Sequence, residues 1–343
     1  MPRYPIITFD NQRYYPMRYN DLRVGVRGEP ATALIPFYDS LPEALAAVHI
    51  HVESLLAPLR KQFSGSSADS NATYRDKLAN PTVFFRGQDN LKFSIVPTRF
   101  RLAGVADPKT EVERRVQKEQ TRAAAIQDYF REHGRAELSE LQARAAARHF
   151  GVPSTLVDFT FDPDVAAFFA HPPFSEQEQR DGATLGVIYA IDMGQLQETF
   201  GMMAWGINDD GGRDIHLVNT KTTWGIEFLG WDAQAGTPAR QALAVPVSEA
   251  LRREHARLRT CIVPGVSRIE AQRGLFLELS LDDKTDARTQ LFFWTILDFL
   301  ATKWCFCRAD HVHVASDAGG NPRDLFHEKD SELERVTGGR AEQ

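Results

Sequence analysis

Apolar positions recur with helical spacing in several stretches of the chain. Spacings of three and four over residues 45–59 predict a helix that begins near Pro42. Pro58 is expected to end or kink this helix near Ala57, because a proline ring clashes with the preceding helical turn. Further helices are predicted from their apolar faces at residues 109–133, 137–150, 165–170 and 289–303.

Short β-branched and aromatic runs between these helices predict strands. The predicted strands are 82–85, 155–160, 186–191, 262–263, 267–271 and 275–279. Residues 201–240 are rich in Gly, Asn and Asp and are expected to form loops with one or two short strands. Helices and strands are mixed without regular βαβ alternation, which predicts an α+β fold.

Composition excludes several classes of protein. The 343 residues are 43% hydrophobic and 25% charged, which is typical of a globular protein and not of a disordered or fibrous one. A net charge of −6 gives no global cationic field toward nucleic acid. Three cysteines are too few for a disulfide framework, and the most apolar stretch is too short to span a bilayer. We therefore expect a cytoplasmic protein without a membrane partner.

Common catalytic and metal motifs are absent from the sequence. There is no Rossmann glycine pattern, no Walker A loop, no His-Glu-x-x-His helix and no Gly-x-Ser-x-Gly elbow. Cys305-x-Cys307 followed by His311-x-His313 has the residue types of a zinc site. The alternative is that the cysteines end the apolar helix and the histidines flank a strand, and we expect no metal. A metal-dependent hydrolase is the weaker hypothesis, because no acid cluster has ligand spacing.

Three segments set polar residues in an apolar frame. They contain Arg86, Asp158 and Gln272, which are predicted to line one cleft. Gly87 follows Arg86 and is expected to let a ligand approach the backbone. If residues 267–271 form a strand, Glu270 and Gln272 point to the same face. Structural alternatives remain open: Arg86 as a buried ion-pair partner of Asp158, Asp158 as a cap, and Gln272 as a partner for a sheet edge.

These segments resemble the FRG domain family. The first reads Phe-Arg-Gly-Gln at residues 85–88, and the second runs from His149 through Gly151, Pro153 and Asp158 into an aromatic-rich helix. The third is Arg-x-x-x-Gln-x-Gly-x-Phe at residues 268–276. The family's Thr-Arg after the proline is Ser154-Thr155 here, and its Trp before the threonine is Phe159.

The resemblance covers residues 80–329, which leaves an N-terminal extension at 1–79 with a helix and a flexible loop. Residues 330–343 are expected to be a disordered tail.

The block order is also similar to that of ADP-ribosyltransferases. This resemblance implies a split β-sheet core with flanking helices and an N-terminal helical extension, and it implies NAD as a substrate. It assigns catalytic roles to Gln272, Glu270 and Asp158. The residues that it assigns to NAD binding are Arg86, Gly87, Gln88, His149 and Thr160. Cleavage of the nicotinamide–ribose bond passes through an oxocarbenium-like state, so an acid and a ribose hydrogen bond are the groups such chemistry needs.

The implied function is ADP-ribosyl transfer from NAD to a DNA or RNA base, in a toxin or phage-defence setting. An antitoxin or a hydrolase that reverses the modification is the implied partner. The rival hypothesis is a non-catalytic sensor module that binds a nucleotide or a nucleic-acid strand in the same cleft.

Overall fold

The computed structural model describes most of the chain. The described residues are 6–24, 28–63, 83–91, 94–102, 104–171, 185–200, 203–207, 213–217, 222–247, 257–280, 287–308 and 336.

Helices and strands alternate irregularly along the described residues, as an α+β fold requires. The strands are β1 Ile7–Phe9, β2 Gln12–Val24, β3 Glu29–Tyr38, β4 Val83–Gln88, β5 Val157–Thr160, β6 Leu185–Asp192, β7 Met203–Ile207, β8 Arg213–Leu217, β9 Thr223–Asp232, β10 Thr237–Pro246, β11 Arg257–Cys261, β12 Gly274–Ser280 and β13 Thr302–Cys307. The helices are α1 Leu41–Phe63, α2 Pro108–Glu132, α3 Glu140–His149, α4 Pro163–Ala170, α5 Met193–Phe200, α6 Ser267–Ala271 and α7 Ala287–Leu300, and a 3₁₀ turn spans Thr98–Phe100.

The strands join into one sheet in the order β1-β2-β3-β13-β6-β4-β5-β12-β11-β8-β7, with the β9–β10 hairpin attached to β3. β3 pairs in parallel with β13, at Phe37 opposite Cys305. The N-terminal segment therefore contributes three strands to the common sheet in addition to α1. The extension at residues 1–79 was predicted to hold a helix and a flexible loop, and the structure adds these three strands to the helix.

Alternate residues of β6 show how the layers are arranged. Val187, Tyr189 and Ile191 belong to a core that also contains Trp294 of α7. Ile188 and Ala190 belong to a second core beneath α1 and α4. Because successive side chains of a strand point to opposite faces, α7 covers one face of the sheet here, and α1 and α4 cover the other.

A third core is formed by α2 and α3, which pack against β11 and β12. Its smallest side chains are the alanines of α3, which are fully buried. None of the helices in the described residues is both long enough and apolar enough to cross a bilayer.

Several local predictions differ from the structure. α1 continues through Pro58 to Phe63, so the helix does not end near Ala57. Residues 262–263, predicted as a strand, follow β11 and belong to no strand. Residues 201–240 hold more strand than expected, because β7, β8 and the long β9–β10 hairpin pair with one another or with neighbours in the sheet. Residues 267–271 form α6 and not a strand.

Candidate functional site

A cavity of about 390 Å³ opens where β4, β5 and β12 meet the end of α3 and the start of α4. Its lining residues are Phe85, Arg86, Gly87, Gln88, Asp89, Arg101, His149, Asp158, Phe159, Thr160, Val165, Phe169, Gln272, Gly274 and Phe276. This volume lies within the range of small-molecule sites, and apolar walls with a few convergent polar groups are typical of them.

Strand pairing brings the three polar segments together. β5 lies between β4 and β12, with Thr160 opposite both Phe85 and Gly274, and with Asp158 opposite Phe276. Arg86, Asp158 and Gln272 consequently line the same cavity, although they are far apart in the sequence. The predicted juxtaposition is confirmed, and the roles of these residues stay predictions.

Asp158 is held between two arginines. Its Oδ2 lies 3.0 Å from Nη1 of Arg86, and its Oδ1 accepts a hydrogen bond of 2.7 Å from Nη2 of Arg148. Arg86 Nη1 also donates to the backbone oxygen of Asp158 at 2.7 Å. Enclosure in the cavity by itself raises the pKa of Asp158, but Arg86 and Arg148 outweigh it and hold that pKa below its usual range. The carboxylate is ionised, and 44% of its side-chain surface remains exposed.

Arg86 is thus an ion-pair partner of Asp158, as the structural alternative proposed. Arg148 was not predicted, although it precedes His149 directly in the last turn of α3. The family's arginine after the proline is Thr155 here, and a guanidinium still reaches that position, because Arg144 Nη2 donates to Thr155 Oγ1 at 2.6 Å.

His149 stands at the end of α3 beside the cavity. Its Nε2 is buried and has no hydrogen-bond partner among the described residues. Burial, together with the nearby charges of Arg268 and Arg148, lowers the pKa of His149 to about 3, against the opposing effect of Asp158. His149 is therefore neutral at physiological pH and presents an uncharged imidazole to the site.

Gln272 is buried at the C-terminal end of α6, two residues before β12 begins. Thr160 Oγ1 donates to its backbone oxygen at 2.8 Å and accepts from the backbone N–H of Asp162 at 3.0 Å. The hydroxyl of Thr160, predicted to bind NAD, is thus used by the fold to fix the end of β5 against Gln272. Thr160 also lines the cavity, and its role in NAD binding stays a prediction.

Gly87 is needed for the packing of α4. A Cβ at this position would lie 1.7 Å from the backbone oxygen of Ala166 and 2.6 Å from the backbone nitrogen of Ala170. α4 therefore sits directly on β4 at this residue, which is a reason for the glycine that the sequence did not predict. Gly87 also lines the cavity, and its role toward a ligand stays a prediction. Gln88, one residue later, is buried and lines the cavity.

Glu270 lies outside the cavity. It is exposed on α6, and its Oε1 accepts a hydrogen bond of 2.7 Å from the backbone N–H of Gly265. The predicted shared face of Glu270 and Gln272 assumed a strand, and the helical turn removes that two-residue periodicity. Arg273, at a φ of 47°, then reverses the chain into β12. Asp89 and Asp158 are the acids that line the cavity.

Arg101 was also missed. It follows the 3₁₀ turn and lines the cavity, and its Nε donates to the backbone oxygen of Val96 at 3.1 Å. No sequence motif singles it out, because the segment reaches the cavity only through long-range contacts. The phenylalanines of the cavity wall, in contrast, belong to the three segments that carry Arg86, Asp158 and Gln272.

Of the four residues of the zinc hypothesis, the structure describes the two cysteines and not the two histidines. Cys305 and Cys307 lie on β13 and do not end the helix, whereas His311 and His313 lie outside the described residues. In the described part of the chain no group of three or more His, Cys, Asp or Glu side chains is placed to hold a metal.

The arrangement combines aromatic walls, an ionised carboxylate, a neutral imidazole, two carboxamides and guanidinium groups. It can enclose a flat ring, hydrogen-bond sugar hydroxyls and attract an anion. These are the properties of a nucleotide site, although none of them by itself defines a reaction.

Comparison with known proteins bears on the same residues. No curated protein and no solved structure shows significant similarity to the chain. The sequence model of the FRG domain family matches residues 81–180, which include β4, α2, α3, β5 and α4. The segment that carries Arg86, His149 and Asp158 is therefore an FRG domain.

Proposed function

We propose that the protein is an NAD-dependent ADP-ribosyltransferase whose NAD site is the cavity between β4, β5 and β12. The observation that carries this proposal is the convergence of Arg86, Asp158 and Gln272 from three separate segments on one aromatic-walled cavity. In this proposal the sheet corresponds to the split sheet of ADP-ribosyltransferases.

The aromatic side chains of the wall would enclose the nicotinamide ring. Phe85, Phe159, Phe169 and Phe276 all line the cavity, and flat rings pack favourably in offset or edge-to-face arrangements. The carboxamide of Gln272 would hydrogen-bond a ribose hydroxyl, an interaction that strengthens as positive charge develops on the ribose.

The reaction breaks the bond between ribose C1′ and the nicotinamide nitrogen, and the electron pair leaves with nicotinamide. A lone pair of the acceptor base then forms the new bond to C1′, and the base releases a proton to water. Asp158, ionised and partly exposed to the cavity, supplies negative charge near the developing cation. It takes the place that the sequence assigned to Glu270.

A second candidate is a sensor module that binds a nucleotide without cleaving it. The pairing of Asp158 with two guanidinium groups favours this alternative, because the charge of the carboxylate is already offset. Gln272, which lies between α6 and β12 at the cavity, is an amide and cannot supply a charge of its own.

The acceptor and the biological setting rest on the family resemblance alone. We propose a DNA or RNA base as the acceptor, a toxin or phage-defence role, and an antitoxin or a reversing hydrolase as partner. Such partners would meet the protein in the cytoplasm.

The two candidates separate in one experiment. The purified protein is incubated with NAD alone and then with DNA, RNA or protein, and nicotinamide release is measured while NAD binding is followed by calorimetry. The transferase proposal expects release that depends on an acceptor and is lost in Gln272→Ala. Binding without release supports the sensor module, and the absence of both overturns the two candidates together.

A further inference from the structure

The cavity contains a guanidinium group that the fold positions but does not neutralise. Arg101 lines the cavity, and the one hydrogen bond of its side chain within the described residues is from Nε to the backbone oxygen of Val96. Its guanidinium forms no ion pair with an acid of the described residues. Arg86 and Arg148, by contrast, are both committed to Asp158.

The backbone around Arg101 is held in place from α2. Arg115 Nη1 donates to the backbone oxygens of Thr98, Arg99 and Arg101, at 2.6, 3.2 and 3.1 Å. Glu111 accepts from Arg115 Nε at 2.6 Å and fixes the guanidinium that makes these contacts. The segment is thereby organised before any ligand arrives, which lowers the entropic cost of binding.

The far side of the same segment is fixed to the core. The backbone N–H of Arg99 donates to the Ser154 oxygen at 3.1 Å, and the backbone N–H of Ser154 donates to Thr98 Oγ1 at 3.1 Å. Earlier in the segment, the backbone N–H of Ile95 donates to the buried carboxylate of Asp298 at 2.8 Å. A loop with these anchors has little freedom to carry Arg101 away from the cavity.

Charge at the cavity points to an anion as the missing counterpart. Partial enclosure, followed by the repulsion from Arg86 and Arg148, lowers the pKa of Arg101 to about 10, against the opposing effects of Asp158 and Tyr189, so the residue is still protonated at neutral pH. Asp158 and Asp89 are the acids of the cavity wall, and Asp158 is shared by two other arginines.

We propose that Arg101, and not Arg86, is the residue that receives the phosphate groups of a nucleotide bound in the cavity. The planar guanidinium of Arg101 pairs with two phosphate oxygens, whereas Arg86 serves to hold Asp158. Arg115 is a positioning residue that acts through the backbone of residues 98–101. The proposal deepens the nucleotide-site function above and narrows its ligand to the pyrophosphate of a nucleoside diphosphate.

The test measures binding of ADP, inorganic pyrophosphate and adenosine by calorimetry. Arg101→Ala is expected to weaken ADP and pyrophosphate binding by about 10- to 150-fold, the range of a hydrogen bond to a charged group, and to leave adenosine binding unchanged. Arg101→Lys should restore part of the loss, because an ammonium keeps the charge but not the paired geometry. Arg131→Ala, which removes an exposed arginine of α2 outside the cavity lining, is the matched control.

Salt dependence separates Arg101 from Arg115. Added salt should weaken ADP binding to the wild type, and this dependence should flatten in Arg101→Ala, because the screened charge is gone. Arg115→Ala should weaken ADP binding but keep the wild-type salt dependence, since Arg101 is still present. A merely structural role for Arg101 would lower the melting temperature and would not alter the salt dependence.

The inference fails if Arg101→Ala binds ADP as Arg131→Ala does, if adenosine and ADP lose affinity equally, or if wild type binds neither ADP nor pyrophosphate. It is independent of catalysis: loss of ADP affinity in Arg101→Ala supports it even where no nicotinamide is released from NAD. Conversely, nicotinamide release that survives Arg101→Ala with unchanged NAD affinity would retain the transferase and overturn this inference.

Discussion

The protein holds two carboxylates between pairs of arginines, and the two clusters differ in their access to solvent. Glu119 on α2 pairs with Arg99 and Arg144, and its side chain is 1% exposed. Ser154 Oγ also donates to Glu119, which completes a sealed cluster. Asp158 has the same kind of partners but keeps 44% of its side-chain surface exposed.

One helix supplies an arginine to each cluster. Arg144 and Arg148 are one turn apart on α3, so they lie on the same face and reach Glu119 and Asp158 respectively. Each cluster pairs one carboxylate with two guanidinium groups, but only the carboxylate of Asp158 is accessible to solvent. A sealed ion cluster can only serve the fold, whereas an open one can change its partners when a ligand enters.

The largest effect on stability is expected at the sealed cluster. Glu119→Gln removes the charge that Arg99 and Arg144 share where their side chains are only 13% and 15% exposed, and it leaves Arg144 with Glu278 alone, so it should lower the free energy of unfolding by about 3–5 kcal/mol. Urea denaturation measures this, with the exposed Glu113→Gln on the same helix as the control, expected within about 0.5 kcal/mol of wild type. A loss below about 1 kcal/mol at Glu119 would mean that the cluster is not the sealed site described.

Asp158→Asn should destabilise the protein less, by about 1–3 kcal/mol, because 44% of the Asp158 side-chain surface is exposed and solvent weakens its ion pairs. The same substitution should affect ADP binding and nicotinamide release differently. Removal of the negative charge leaves ADP affinity unchanged or higher, while nicotinamide release is lost. Equal destabilisation by Asp158→Asn and Glu119→Gln in the same denaturation series would break the comparison, since both clusters would then be structural.

The pH dependence of stability should separate His149 from Asp158. The folded pKa of His149 is about 3, below its ordinary value of 6.5, so the unfolded chain takes up the proton first. The stability that neutral His149 supports is complete above pH 6.5 and is lost as the pH falls toward 3. For Asp158, whose pKa is lowered from 3.8, stability is complete above that value and is lost only below it.

His149→Gln should therefore flatten the denaturation midpoint between pH 6.5 and 4, and Asp158→Asn should flatten it only below pH 4. The exposed His133→Gln on α2 serves as the control and should follow wild type. A wild-type midpoint that does not fall between pH 6.5 and 4 would contradict the burial of a neutral His149.

The smallest effect is expected at Glu270. Glu270→Gln weakens one exposed hydrogen bond to the backbone of Gly265, so it should cost at most about 1 kcal/mol and leave nicotinamide release unchanged. Gln272→Ala, two residues away, should abolish release because its side chain is buried at the cavity. Parallel release assays on the two variants check this, and a loss of release in Glu270→Gln would return the acid role to that residue.

The part of the candidate site that could be predicted from the sequence is the part that recognisable motifs encode. The meeting of Arg86, Asp158 and Gln272 followed from three blocks of recognisable residue types. The predicted shared face of Glu270 and Gln272 was wrong because a five-residue segment was assigned the two-residue period of a strand, and helix and strand are difficult to separate over so short a stretch. The chain ends that segment with a helical turn and with Arg273 at positive φ.

Other features were inaccessible because they depend on the whole fold. Arg101 reaches the cavity through backbone contacts with α2 and with Ser154, and no local pattern encodes those contacts. The strands of residues 201–240 are set by pairing with distant partners, which overrides a loop-like composition. The reason for Gly87 lies in the close approach of α4, which its sequence neighbours do not reveal.

Gln272 lies beyond residues 81–180, the segment that matches the FRG family, so the ribosome completes the cavity late in synthesis. Synthesis releases β4 and β5 long before β12, and the cavity stays open on one side until Gly274 pairs with Thr160. That pairing closes a long loop, so it is slow to form and depends on the earlier strands already being in place. The proposed nucleotide binding therefore requires β12, and a nascent or truncated product that stops before residue 272 carries the segment that matches the FRG family without the complete cavity.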